Sequence, residues 1–158
     1  MQGYSGSTIA KTYQRTQVAH ANPVELIMML YDGALSRIAE AGKRFQDRDL
    51  LYGGIAVSKA QAIVAELRKS LNVEEGGEIA ANLERLYVYI HELLVKANLE
   101  YRTEPLDESA RILNDLRSGW AEVSKQVEEI QEKEVELPPS APNPVSIPTE
   151  LPRLNVRV

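Results

Sequence analysis

Asn22-Pro23-Val24-Glu25-Leu26-Ile27-Met28-Met29-Leu30-Tyr31-Asp32-Gly33-Ala34 is the stretch that decides how the chain is read. It opens with a good N-cap, a proline at the first helical position and a Glu at the reciprocal position of a capping box. Apolar residues then return in steps of three and four, through Leu26, Ile27, Leu30, Tyr31, Ala34, Ile38, Ala41 and Phe45. That is the stripe of an amphipathic helix. It should stop near Asp47-Arg48-Asp49.

Downstream, the same periodicity returns three times. A second helix is expected from about Leu50 to Leu71, with Ile55, Ala56, Ala60, Ile63, Val64 and Leu67 on one face. Gly53 and Gly54 lie near its start, where each costs about 1 kcal/mol relative to Ala. Such a pair is expected where a neighbouring helix comes close. Asn72 to Gly77 reads as a turn, broken at Gly76-Gly77. The third helix, Glu78 to about Arg102, carries Ile79, Leu83, Tyr87, Ile90, Leu94 and Tyr101, and Pro105 blocks its continuation. The fourth, about Asp107 to Lys133, carries Leu113, Leu116, Trp120, Val123, Val127 and Ile130. No strand pattern is seen. Four helices of roughly 22–28 residues, about 33–42 Å each, predict an all-α, antiparallel up-and-down four-helix bundle.

Two flanks complete the organisation. Residues 1–21 form a leader in which Ile9 and Tyr13 fall on one face of a short helix from Thr8 to His20. A helix this short is marginal alone in water, so it is expected to dock as a cap. The bundle domain is expected over 22–136. After it, 137–158 contains six of the eight prolines and reads as an extended or disordered tail. Leu151, Leu154, Val156 and Val158 make its far end apolar.

Composition narrows the function. The chain has 158 residues, 44% apolar and 26% charged, the balance of one globular domain. It has no Cys, which excludes disulfides, thiolate metal sites and thiol nucleophiles, and suits a reducing cytoplasm. The densest apolar run, Leu26 to Tyr31, is far short of the roughly 20 residues that span a bilayer. We therefore expect a soluble protein without membrane insertion. The net charge of −5 is uneven: +3 over residues 1–70, −9 over 71–137 and +1 in the tail. An acidic second half argues against nucleic acid.

Catalysis finds no support. His20 and His91 form no pair, and neither has the Glu three residues earlier that a di-iron bundle would require. No catalytic residue, cofactor site or metal site is expected, and the chain is read as not an enzyme. A histidine phosphotransfer role for His91 is disfavoured by Glu92 beside it, since like charge repels a phosphoryl group.

A family resemblance then becomes visible. Tyr13, Val18 and the run from Asn22 to Ala34, followed by Ser58-Lys59-Ala60 and Leu67, stand in a characteristic order. Gly76-Gly77-Glu78-Ile79-Ala80, Asn82-Leu83, Leu86-Tyr87, Tyr89, Ala97-Asn98-Leu99 and the Trp120 region complete it. Over roughly residues 8–130 the chain resembles the flagellar secretion chaperones, the flagellin-specific FliS family. Two departures are Asn22, where Ser is commoner in the family, and the long Pro-rich tail.

The resemblance implies a cytoplasmic helical bundle that binds the disordered C-terminal segment of flagellin. It keeps the client from polymerising and delivers it to the export gate of the flagellar type III apparatus, with the leader covering the groove when no client is bound. The chain itself would be a monomer or weak homodimer. An amphipathic client needs a groove between helices. The expected contacts are Leu30 and Tyr31, then Ile55, Lys59 and Ile63, then Tyr87, Ile90, Leu94 and Asn98, with Ile9 and Tyr13 as the leader's plug. Asp32, Lys59, Asn82 and Asn98 stand out as polar residues beside apolar stripes. A second reading is a structural bundle that pairs with copies of itself.

Overall fold

The computed structural model describes residues 22–135. Four helices run in order: α1 (Pro23–Gln46), α2 (Leu50–Lys69), α3 (Val73–Glu100) and α4 (Glu104–Val135). There is no strand among the described residues. Each helix packs on the next and α4 closes back against α1, which is the ring of an up-and-down bundle. The leader helix and the Pro-rich tail lie outside the described residues.

The capping box read at Asn22 is formed. Its side chain accepts from the Glu25 amide at 2.9 Å, and the Glu25 carboxylate accepts from the Asn22 amide at 3.2 Å. Asp49 caps α2 more loosely, through the Tyr52 amide at 3.4 Å. Pro105 does more than end α3: it sits in the first turn of α4, where its missing N–H is harmless.

The α2–α3 connection departs from the expected turn. Residues from Val73 already form a helical turn, capped by Asn72, which accepts from the Glu75 amide at 3.2 Å. The break falls at Gly77 alone, with φ 58° and ψ −138°. An L side chain is strained in that conformation. Gly77→Ala is therefore expected to lower stability by about 1–3 kcal/mol, read from the shift of the urea midpoint.

Within the bundle the apolar stripes meet as predicted, with Ile38, Val64, Ile90, Leu94 and Leu113 sealed in the core, and Leu106, in the first turn of α4, joins them. Three aromatics on three helices join in its middle. Trp120 of α4 donates its indole N–H to the Tyr31 hydroxyl of α1 at 3.2 Å. The Tyr31 and Tyr87 hydroxyls share a further hydrogen bond, and their rings lie 6.5 Å apart at 50°. Both phenols are sealed from solvent. Their burial raises both pKa values above the usual range. No buried side-chain polar atom among the described residues lacks a partner.

Some stripe residues fall outside the core. Ile79 is 76% exposed, just past the Gly77 break, and Ile130 is 45% exposed. The second follows from length: α4 has 32 residues against 24 in α1, so about two turns of α4 project. Asp32 and Arg117 pair across the α1–α4 seam and set that register. Helix α2 is by length and composition alone apolar enough to cross a membrane. Here Ala56, Val57, Ala60, Val64 and Leu67 face the core.

A candidate binding groove between α2 and α3

The outer seam between α2 and α3 holds an open groove of about 600 Å³. Leu51, Ile55, Ser58 and Lys59 line it from α2, and Asn98 and Tyr101 from α3. It lies at the end of the bundle where the α1–α2 and α3–α4 turns sit. Leu51 is 70% exposed and Ile55 40%, and on α3 Leu99 is 75% exposed. These are large apolar side chains that the fold leaves in water. An apolar surface framed by a few hydrogen-bonding groups is what an amphipathic segment requires.

Local sequence explains the shape. Gly54 has no side chain, and a Cβ there would lie 3.0 Å from the Asn98 carboxamide oxygen. The bare backbone thus gives Asn98 its place across the seam. Gly53, one residue earlier, lies against α1 instead: its Cβ would lie 2.5 Å from two Phe45 ring carbons. The Phe45 ring in turn meets Tyr101 edge-on, centroids 5.9 Å apart. Tyr101 caps α3 in the left-handed region, φ 53°, and this packing offsets the backbone cost. At the other end of the seam Arg68 pairs with Glu84 at 3.3 Å.

The residues expected to touch a partner divide into three groups. Ile55, Lys59 and Asn98 line the groove. Leu30 and Ile63 are half-buried and pack against the core. Tyr31, Tyr87, Ile90 and Leu94 are core residues, at most 2% exposed. These four are thus sealed in the interior of the chain as it stands, while large exposed apolar side chains lie along the α2–α3 seam. Helical periodicity alone does not separate a stripe's centre from its flank. Ile9 and Tyr13 lie outside the described residues.

Among the polar residues singled out, Asp32 is engaged by Arg117, and Asn82 accepts from Arg85 at 3.1 Å. Lys59 and Asn98 remain at the groove. Leu51, Ser58 and Tyr101 also line the groove, although none stood among the expected contacts. The signal for Leu51 was present: it follows the Asp49 cap and falls off the α2 stripe. His91 is exposed beside Glu92, and no cluster of His, Asp and Glu suited to a metal ion is found among the described residues.

The family model for flagellar protein FliS matches residues 6–127. The chain belongs to the FliS family. It is 41% identical over 118 residues to the flagellar secretion chaperone FliSB of Pseudomonas aeruginosa, covering 72% of this chain and 94% of that relative. It is 35% identical to the flagellar secretion chaperone FliS of Salmonella typhimurium, over 73% of this chain and 86% of that one. For the Bacillus subtilis FliS the identity is 34%, over 68% and 80%. The FliS match ends at residue 127, so the projecting end of α4 and everything after it lie beyond the shared region.

Proposed function

We propose that this FliS-family chain is a cytoplasmic export chaperone for flagellin. The α2–α3 groove accepts an apolar face of the disordered C-terminal flagellin segment. Held there, the client cannot polymerise and is passed to the flagellar type III export apparatus. The leader, through Ile9 and Tyr13, covers the client groove until a client arrives. The observation that carries this reading is the exposed groove itself, where Leu51 and Ile55 lie beside Lys59 and Asn98 in a family of secretion chaperones.

Magnitudes are adequate. Covering four large side chains contributes roughly 6–12 kcal/mol gross at ~1.5–3 each. Ordering a disordered client removes several kcal/mol. A micromolar to nanomolar complex results, without any covalent or cofactor chemistry.

The test is calorimetric titration with a peptide of the flagellin C-terminal segment. Ile55→Asp places a charge in the groove and is expected to weaken binding at least ~10-fold, about 1.4 kcal/mol or more, with unchanged helical circular dichroism. Asn114→Asp, on the exposed far side of α4, is expected to bind like the parent. Equal binding by both variants overturns the groove assignment. Light scattering separates the rival: growth of homo-oligomers with no uptake of the peptide favours the self-associating bundle.

A further inference from the structure

Two non-glycine residues among the described ones hold a left-handed backbone, Arg48 in the α1–α2 turn and Tyr101 at the end of α3. Both sit at the groove-side pole, but of the two only Tyr101 lines the groove. We propose that the Tyr101 ring is the aromatic anchor of this groove. A large apolar side chain of the flagellin segment stacks on it, which makes Tyr101 a determinant of which segment is accepted. This rests on the reading of the groove as the client site.

The backbone is the first argument. With φ 53° and ψ 41°, position 101 is a left-handed cap of the kind that ends many helices, and Gly or Asn fills it at least cost. The Cβ of a Tyr is crowded there. The Phe45 ring meets Tyr101 edge-on and offsets that cost, but a Gly or Asn would have little cost to offset. Folding alone therefore does not call for an aromatic ring at this position. Costly conformations of this kind cluster where ligands are held.

Presentation is the second argument. Phe45 takes up only part of the ring, and Tyr101 remains 51% exposed. Leu51 and Ile55 line the same groove from α2, and Asn98 supplies a hydrogen-bonding group beside them. An apolar side chain that enters thus meets an aromatic ring from α3 and aliphatic ones from α2. The ring needs little ordering when it does so. Its backbone is fixed at the helix end, and its edge is held by Phe45, which is buried against Gly53. Preorganisation of this kind strengthens a contact. Tyr is also among the residues that most often dominate binding interfaces.

Titration of full-length variants with the flagellin C-terminal peptide tests this, alongside their urea unfolding. Tyr101→Asn removes the ring and tolerates the left-handed cap. It is expected to bind the peptide at least ~10-fold more weakly, with an unfolding midpoint close to the parent's. Tyr101→Phe keeps the ring and is expected to bind like the parent; a loss as large as that of Tyr101→Asn would assign the hydroxyl and overturns the stacking. The loss in Tyr101→Asn should be the same at low and high salt, because the partner is apolar. A loss confined to low salt would put a charged group on the ring and overturns the apolar assignment. Parent-like binding by Tyr101→Asn overturns the proposal, and if Ile55→Asp still weakens binding the groove reading stands. A midpoint that drops together with the affinity assigns the ring to the fold and overturns the proposal as well. Parent-like binding by both Tyr101→Asn and Ile55→Asp rejects the groove itself.

Discussion

Tyr31→Ala is expected to remove about 5 kcal/mol of folding stability, enough to unfold much of a domain whose total is about 5–15 kcal/mol. Tyr31 is fully buried, and truncating a buried aromatic ring alone costs about 3–5 kcal/mol. The hydroxyl adds to this, because it accepts from Trp120 and bonds Tyr87. Without it the indole N–H is stranded, at about 1–3 kcal/mol. Tyr31→Phe should therefore cost about 1–3 kcal/mol, and Tyr87→Phe less, since the Trp120 bond survives. Denaturant titration of the three variants checks the order. A Tyr87→Phe effect larger than that of Tyr31→Phe would mean that the indole is not held as described.

The same pair sets an alkaline limit. Burial raises both phenol pKa values above 10. Below pH 10 both phenols are protonated in folded and unfolded chains alike, and their contribution is complete. Above it the unfolded chain releases protons that the folded one keeps. Stability then falls by about 1.4 kcal/mol per pH unit for each phenol, until the folded values are reached. Tyr31→Phe should flatten that slope.

Gly53→Ala carries the second large effect, and its sign is the informative part. In a helix this change ordinarily gains about 0.5–1 kcal/mol. Here the new Cβ would lie 2.5 Å from the Phe45 ring, which is itself held by Tyr101. Overpacking at about 1–3 kcal/mol outweighs the propensity, and Gly53→Val should be worse. Gly119→Ala, with nothing within 4 Å of its Cβ, should instead stabilise by the ordinary amount. Thermal unfolding of the two Ala variants should move in opposite directions. A matching upward shift would show that Phe45 yields without cost.

These residues show how much could be read in advance. The four helices follow from capping and periodicity, both local properties: Asn22, Pro23 and Glu25 announce α1 before any contact is considered. Gly53-Gly54 announces a close approach, but not that the two residues serve different neighbours, Phe45 and Asn98. Whether Ile55 or Ile90 faces outward depends on where two helices meet. Ile55 lies one step off the line of contact and is exposed; Ile90 lies on it and is sealed. The Tyr31–Tyr87–Trp120 junction was illegible for the same reason. It joins positions 56 and 89 residues apart, and only the assembled ring brings them together.

An even number of antiparallel rods brings the path back to its origin. Asn22 begins α1 at the pole where α4 ends, the last two turns of α4 projecting past it to Val135, while the turn at Arg102 faces water at the other. The described bundle thus starts and ends at the same pole. A circular permutant that joins Val135 to Asn22 through a linker long enough to run back along the projecting turns, and opens at Arg102, keeps the core contacts and frees the groove-side pole for a label or a tether.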